Sequence, residues 1–350
     1  MTLYDRIYGC LLGGACGDAL GAPVEFLKLE EITSRYGPEG ITGFDAAYGT
    51  LGAITDDTQM TLFTVEGLIR AAVRFAERGI CHPPGVVHHA YRRWLMTQDQ
   101  PFEYLKSHGD LDGWLIHEKR LWARRAPGNT CLSALRAGGP FRETAANNSK
   151  GCGTVMRDAP FGFVDLHNPW RVFTLAAETA RTTHGHPSAS LSSGALATII
   201  AFLAQGRALL EAVEQTLSLL KTSPGAHEVE NALRLALRLS EAADWRERLH
   251  DLGGGWVAEE ALAISVLCAL ATDNSREAII SAVNHSGDSD STGSITGNLV
   301  GAWYGPAALP NEWVDQVELR DVIEILGRDL ATVLEGEFDS DMLWERYPGW

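Results

Sequence analysis

Apolar side chains recur every three or four residues along most of the chain, the spacing of helices with one buried face. The clearest of these patterns runs over residues 57–76, and Gly79, Pro83 and Pro84 mark its end. Similar patterns predict helices over residues 85–96, 172–182, 191–203, 207–220, 227–249, 261–270 and 317–334. The alternation of apolar and polar residues that is typical of β-strands persists nowhere in the sequence. Residues 30–54 are rich in glycine and turn-forming residues, as surface loops are. We therefore predict an all-α protein that folds as one compact multi-helix domain over residues 1–350.

Two of the predicted helices combine apolar residues with very small ones. The first has an apolar stripe over residues 4–11 and continues into a glycine- and alanine-rich stretch that ends near Pro23. In the last third of the chain, Gly293, Gly297 and Gly301 fall on one face of a helix. Glycine costs about 1 kcal/mol in a helix interior. A stripe of glycines therefore predicts very close packing against a neighbouring helix.

Acids and hydroxyls gather at the starts of two helices that lie far apart in the sequence. The first set is Thr55, Asp56 and Asp57, and the second is Asp288, Asp290 and Ser291. Hard cations such as Mg²⁺ bind oxygen ligands of this kind. Asp and Ser before a helix are ordinary caps, and for the segment at 288–291 taken alone a cap is the favoured interpretation. If the two starts converge, they can form one site for two metal ions.

Composition limits the possible partners. The hydrophobic content of 45% is sufficient for a substantial core, and the net charge of −16 argues against nucleic acids and anionic membranes. Six cysteines occur without a Cys-x-x-Cys pair, and the N-terminus lacks the basic start of a signal peptide. No apolar stretch long enough to span a membrane is apparent. We therefore expect a cytoplasmic protein with reduced thiols.

Three further segments are candidates for chemistry, each with a structural alternative. Glu25 lies in a loop after the first helix, where a glutamate is ordinarily a solvated charge. Gly151, Cys152 and Gly153 precede a helical start and could hold an anion, although an ordinary turn has the same pattern. The glycine-rich residues 253–257 could place the ring of Trp256 against a ligand.

Histidines form two close pairs. His88 and His89 are adjacent on a predicted helix, so they cannot point the same way, and we expect them on its polar side. His184 and His186 follow the helix predicted over residues 172–182, where either could cap a helix end or contact a ligand.

Six segments together resemble the ADP-ribosylglycohydrolase family, a metal-dependent all-helical group that removes ADP-ribose from proteins or small molecules. They occur in the family's order over nearly the whole chain. They are Gly-Asp-Ala-Leu-Gly-Ala-Pro-Val-Glu at 17–25, Thr-Asp-Asp-Thr at 55–58, Gly-Cys-Gly-Thr-Val-Met-Arg at 151–157, Arg-Thr-Thr-His-Gly-His-Pro at 181–187, Gly-Gly-Trp-Val at 254–257 and Gly-Asp-Ser-Asp-Ser-Thr at 287–292.

The resemblance implies a role for each candidate residue. Two Mg²⁺ or Mn²⁺ ions would be bound by Thr55, Asp56, Asp57, Asp288, Asp290 and Ser291. Glu25 would be a flexible glutamate that reaches the metal site, and the general base would be Glu25, Asp56 or Asp57. Gly151, Cys152 and Gly153 would lie along the diphosphate, His184 near the distal ribose, and Gly255 and Trp256 beside the ribose or adenine.

Within the family, residues 287–291 and 183–187 most resemble the branch of ADP-ribosyl-arginine hydrolases and dinitrogenase reductase-activating glycohydrolases. This implies hydrolysis of the N-glycosidic bond between ADP-ribose and a protein arginine, with the modified protein and ADP-ribose as partners. Other linkages remain as alternatives: serine, an O-acetyl ester or nucleic acid. A further alternative is an immunity protein that neutralises an ADP-ribosyltransferase toxin by hydrolysis or by binding it.

Overall fold

The computed structural model describes residues 1–106, 112–137, 144–336 and 338–349, and most of this part of the chain is helical. The α-helices are α1 (Leu3–Gly21), α2 (Leu29–Tyr36), α3 (Asp56–Arg78), α4 (Pro83–Asp99), α5 (Asn129–Arg136), α6 (Pro169–Arg181), α7 (Pro187–Ala204), α8 (Leu209–Leu220), α9 (His227–Ser240), α10 (Ala258–Leu270), α11 (Ser275–Val283), α12 (Ser289–Tyr304), α13 (Asn311–Val314), α14 (Arg320–Glu335) and α15 (Ser340–Trp344). A short antiparallel hairpin pairs β1 (Ala46–Ala47) with β2 (Thr50–Leu51). The predicted all-α class is confirmed.

The close pair of α1 and α12 lies at the centre of the fold. A Cβ atom added to any of six glycines would meet a carbonyl oxygen of the opposite helix. The facing pairs are Gly9 with Gly301, Gly13 with Gly297, and Gly17 with Gly293. Because the numbers rise in one helix as they fall in the other, the helices are antiparallel. The close packing predicted from the glycine stripe is confirmed.

The apolar helix α7 passes through the core beside this pair. Its 18 residues have a mean hydropathy of 1.5, which by length and composition would be enough to cross a membrane, and 89% of them are buried inside the protein. The expectation that no stretch reaches this length was therefore wrong. An element that is apolar on all sides is also what a central core helix requires, and α7 occupies that position here.

Most of the predicted helices are present in the structure, α5 and α11 were not predicted, and three other expectations were wrong. The helix expected over residues 227–249 ends at Ser240; the chain then turns, burying Trp245, and a short 3₁₀-helix follows at Leu249–Leu252. Residues 30–54, expected to be a loop, contain α2 and the hairpin, both too short to give a clear periodic pattern. His88 is buried rather than on the polar side of α4, and His89 is exposed.

Candidate active site

The structure brings the two acid-rich helix starts together. Six carboxylates from α1, the loop after it, and the starts of α3 and α12 share one centre, and none is more than 6% exposed. They are Asp18, Glu25, Asp56, Asp57, Asp288 and Asp290. One oxygen from each of Glu25, Asp288 and Asp290 lies within 4.8 Å of the others, which is close enough for a shared cation.

Asp18 was not among the candidate residues, although it lies in one of the segments that carry the resemblance. Its carboxylate accepts hydrogen bonds from the backbone N–H of Thr55, at 3.0 and 3.1 Å, and from that of Thr58, at 3.1 Å. It therefore fixes the start of α3 against α1. The available signal was a single charge inside the glycine- and alanine-rich second half of α1, because a buried charge needs partners.

Capping explains only part of the first cluster. Thr55 is the N-cap of α3, and its hydroxyl accepts from the N–H of Asp57 at 3.3 Å. One oxygen of Asp56 accepts from the backbone N–H of Gly128, also at 3.3 Å. Asp288 occupies the N-cap position of α12, yet its side chain forms no capping bond there. The structural alternative therefore accounts for Thr55 but leaves most of the acids unexplained.

Two carboxylate oxygens in the centre have no protein partner. Glu25 Oε2 and Asp57 Oδ1 are buried and form no hydrogen bond within the described part of the chain. Burial, and to a smaller extent the negative charge of neighbouring carboxylates, raises the pKa of the Asp18 carboxyl to about 7 and the pKa of Glu25 to about 11. The same causes raise the pKa values of Asp56, Asp57 and Asp288 well above the usual range. Repulsion among buried carboxylates is relieved by bound cations, so these residues fit hard divalent metal ions.

A loop with Gly151, Cys152 and Gly153 forms the next wall of the site. The thiol of Cys152 donates to Asp288 Oδ2 at 2.8 Å, so this loop touches the acid centre. The N–H of Gly151 bonds to Ser149 Oγ, and that of Cys152 to the carbonyl of Trp256. Two of the three N–H groups are therefore already used within the protein. A diphosphate here would meet the remaining N–H and the small glycine surfaces, rather than a full ring of donors.

The loop with Gly255 and Trp256 is joined to this wall and to α12. Gly151 forms a bridge with Val257, and the carbonyl of Gly254 accepts from the N–H of Asp288 at 2.8 Å. Gly255 has a φ of +78°, a conformation that favours glycine. The loop therefore holds its aromatic residue at a fixed place beside the acid centre.

An aromatic pair lies at the rim. The rings of Phe26 and Trp256 stack with centroids 6.0 Å apart and planes inclined by 19°. Phe26 is 70% exposed and Trp256 47%. Since Phe26 directly follows Glu25, the stack connects the glutamate loop to the opposite loop. An exposed ring in this position can receive a planar ligand group.

The two histidines after α6 have different roles. His186 is the N-cap of α7, with its Nδ1 accepting from the N–H of Ser188 at 3.1 Å. His184 is buried, and its Nε2 would lie 3.4 Å from a Cβ placed on Gly151. Of the two, His184 is thus the one beside the glycine loop of the site.

The hairpin carries a tyrosine whose hydroxyl feels the charges of the acid centre, which the sequence did not suggest. Tyr48 stands at its turn with a φ of +53°, under the guanidinium of Arg125, which lies 5.8 Å from the ring centroid. Burial and then the charge of Glu25 raise the pKa of the Tyr48 hydroxyl. This dependence places the hydroxyl within the field of the carboxylates.

Comparison with known proteins identifies the class. The sequence profile of the ADP-ribosylglycohydrolase family matches residues 1–339. The ADP-ribosyl-[dinitrogen reductase] glycohydrolase of Rhodospirillum rubrum is 26% identical over 336 residues, covering 93% of this chain and 94% of that protein. The ADP-ribosylarginine hydrolase Tri1 of Serratia proteamaculans is 25% identical over 343 residues, covering 93% and 79%. A solved structure described as an ADP-ribosylglycohydrolase-related protein complex superposes with a TM-score of 0.67 at 26% identity, covering 95% of this chain and 99% of that one.

The family profile identifies a glycohydrolase, and the buried carboxylate centre gives it a candidate metal site. The chain belongs to the ADP-ribosylglycohydrolase family.

Proposed function

We propose that the protein is a metal-dependent hydrolase that removes ADP-ribose from modified arginine side chains of proteins. The reaction is the addition of water across the bond between C1″ of the distal ribose and the guanidine nitrogen, which frees ADP-ribose and arginine. The observation that carries the proposal is the convergence of six buried carboxylates, two of whose oxygens have no hydrogen-bond partner among the described residues. The names of the relatives from Rhodospirillum rubrum and Serratia proteamaculans support the substrate class.

The residues that would bind the metal ions are those at the two helix starts. They are Thr55, Asp56, Asp57, Asp288, Asp290 and Ser291. Bound Mg²⁺ or Mn²⁺ supplies a Lewis acid that orients the substrate oxygens and makes water more acidic. This assignment follows from the oxygen-rich donor set, which matches what hard cations prefer.

The chain's own residues would orient the substrate and accept the proton of the attacking water. Glu25 is the one member of the six carboxylates that lies neither in a helix nor at a helix cap, and its Oε2, which has no hydrogen-bond partner in the described part of the chain, can turn toward a ligand. Asp56 and Asp57 are the other candidates for the base. The glycine loop and Trp256 would hold the diphosphate and one end of the ADP-ribose away from these acids.

One assay tests the proposal directly. The protein is stripped of metal and then given arginine-, serine- and ester-linked ADP-ribose, with and without Mg²⁺ or Mn²⁺, and free ADP-ribose is measured. We expect no turnover without metal, recovery on its addition, and the fastest release from arginine. Full activity of the stripped protein would contradict metal dependence. Faster release from serine would contradict the linkage while leaving the family unaffected.

The overall charge gives a second, weaker reason for arginine. A guanidinium is cationic and the protein carries a net charge of −16, so its field would attract an arginine-linked substrate. Salt screens such attraction over about 8–10 Å at physiological ionic strength. Raising the salt concentration should therefore lower kcat/KM more for the arginine-linked substrate than for the serine-linked one. The same proportional loss for both would remove this argument.

We also propose a cytoplasmic location. The six cysteines are all free, and four of them are buried as ordinary core residues, which suits a reducing compartment. Fractionation of cells that express the protein tests this.

A further inference from the structure

A chain of buried side chains ends at the imidazole of His184. Arg157 is fully buried, and its Nη2 donates to Thr183 Oγ1 at 2.7 Å. The same hydroxyl oxygen lies 2.9 Å from His184 Nδ1. A guanidinium has donors and no acceptor, so the hydroxyl of Thr183 must accept at the first of these contacts. Its own hydrogen is then left to donate elsewhere.

The surroundings leave one good acceptor for that hydrogen. The carbonyl of Ala180 is 3.3 Å from Thr183 Oγ1, but it already accepts from the backbone N–H of Thr183 at 3.2 Å and of His184 at 3.1 Å. A carbonyl oxygen has two lone pairs, and both are used. His184 Nδ1, at 2.9 Å, is therefore the better acceptor for this hydrogen, and a ring nitrogen that accepts carries no proton.

The imidazole is also neutral. Burial, and then the charge of Arg157, lower the pKa of His184 to about 3. A neutral imidazole that accepts at Nδ1 holds its single proton on Nε2. The buried chain thus selects one of the two tautomers of the ring.

The selected N–H lies against the glycine loop of the site. A Cβ on Gly151 would lie 3.4 Å from His184 Nε2, and one on Gly153 would lie 3.5 Å from it. No hydrogen bond to this nitrogen forms within the described part of the chain. The residue between the two glycines, Cys152, contacts Asp288 of the acid centre. Nε2–H is therefore a donor beside the wall that a ligand in this centre would touch.

We propose that Arg157 and Thr183 are positioning residues that fix His184 as the Nε2–H tautomer, so that this N–H donates to an oxygen of bound ADP-ribose beside Gly151 and Gly153. The identity of the ligand rests on the proposed function; the tautomer does not. The oxygen is a phosphate or ribose oxygen, because both classes accept from a neutral N–H.

The tautomer is measured in the free protein by nitrogen NMR of histidine labelled with ¹⁵N. The His184 signals are assigned by their loss in His184→Gln. We expect Nε2–H in the wild type and in Thr183→Ser, which keeps the hydroxyl. Thr183→Val removes it and should shift the ring toward Nδ1–H or a mixture, and Arg157→Met should do the same by removing the obligatory donor. Nδ1–H in the wild type, or no change in Thr183→Val, would overturn the proposal.

Thr182→Val is the matched control. Thr182 is also buried at the end of α6, but its hydroxyl bonds to the carbonyl of Thr179 and not to the imidazole. It should leave the His184 signals unchanged. Thermal unfolding of every variant shows which of them are folded. If Arg157→Met does not fold, the tautomer measured in the wild type still tests the proposal.

The second part of the proposal, the hydrogen bond from His184 Nε2–H to the ligand, is called the ligand half below. Binding of ADP-ribose, the expected product, tests it without turnover. By calorimetry, Thr183→Val should bind about ten-fold more weakly, the value of about one hydrogen bond, while Thr183→Ser and Thr182→Val stay close to the wild type. Unchanged affinity in Thr183→Val would overturn the ligand half. Failure of the wild type to bind ADP-ribose would overturn that half and the proposed function together, with the tautomer still decided by NMR. Preference for a serine linkage with intact ADP-ribose binding would contradict the proposed function alone.

Discussion

The two sides of the site are built differently. The acid side stands on the starts of α3 and α12 and on α1, where helices pack through facing glycines and the carboxylates are buried. The rim side consists of two loops and an exposed aromatic stack. On the acid side, the position of each group is set by backbone packing. On the rim, a few backbone hydrogen bonds fix the two loops, and the exposed rings are held by their stacking.

This difference suggests a division of work. The carboxylates, which must keep fixed distances from one another, are carried by helices that pack too closely to separate. The aromatic side chains that would receive a ligand are exposed and can change their orientation. Substitutions on the acid side should therefore be severe and interdependent, whereas those on the rim should be graded and largely independent.

The largest expected effect is the loss of an acid. Asp57→Ala and Asp290→Ala should each lower kcat by about a thousand-fold or more while the protein stays folded, because each would remove a ligand of the metal site. Residues that act as a unit are not additive, so the double variant should be little worse than either single one. Steady-state kinetics and thermal unfolding measure both points.

Asp321→Ala is the control for this pair. Asp321 also lies in the first turn of a helix, in this case α14. Its side chain is exposed and forms an ion pair with Arg120. Its loss should cost well under about 1 kcal/mol of stability and no activity. Multiplicative losses in the double variant would mean that the two helix starts do not act as one site.

The sequence alone predicted the acid side better than the rim. Helix periodicity and the glycine spacing are local patterns in the sequence, so α12 and its close packing could be predicted from them. The six motif segments named the family, and the profile that matches residues 1–339 confirms it. Whether Asp288 and Asp57 meet depends on how distant helices pack, which no local pattern specifies. Asp18 shows the same limit, since its role depends on its contact with Thr55 on another helix.

What the sequence missed lies mostly in short or irregular segments. The turn that places Tyr48 near the acids comes from two-residue strands, too short for an alternating pattern. The early end of α9 at Ser240 comes from the burial of Trp245, a tertiary effect that overrides helical spacing. His186 caps α7 through the nearby Ser188, whereas the place of His184 depends on Gly151, which is distant in the sequence.

The second prediction concerns the packing beneath the acid side. In Gly297→Ala the new methyl group would collide with the backbone of Gly13, so the two helices must move apart. We expect about 3 kcal/mol of destabilisation, the upper part of the usual range for overpacking. We also expect lower metal affinity, since α12 carries Asp288 and Asp290 at its start. Denaturant unfolding and calorimetry with Mn²⁺ measure the two effects.

Gly327→Ala provides the contrast in the neighbouring helix α14. A Cβ there would meet Tyr8 of α1 at 3.5 Å, an ordinary contact. Because alanine favours helices over glycine, this variant should be stabilised by about 0.5–1 kcal/mol. Equal stability of the two variants would show that the glycine pairs are not what holds α1 and α12 together.

The third prediction concerns Glu25, which belongs to the acid centre but lies in a loop. Glu25→Gln keeps the shape and removes the charge. It should lower kcat by about a hundred-fold, the usual contribution of a general acid or base, while Mn²⁺ affinity changes only a few-fold. Calorimetry and steady-state kinetics on one preparation separate the two quantities. Loss of metal binding would make Glu25 a ligand like the helix-borne acids, and wild-type kinetics would mean that its carboxylate takes no part in the reaction.

The smallest effect is expected on the rim. In Trp256→Ala the exposed ring that stacks on Phe26 is lost, and the acid centre is not touched. Stacking of a base on an aromatic side chain contributes about 1–3 kcal/mol, so KM should rise about ten-fold with kcat nearly constant. Trp170→Ala is the matched control, because Trp170 is 49% exposed and stacks on Phe173 at the far end of α6 from His184. It should leave both constants unchanged. A fall in kcat of Trp256→Ala as large as that of Asp57→Ala would mean that the rim and the acid side are not separate, since the aromatic ring would then be needed to hold the carboxylates in place.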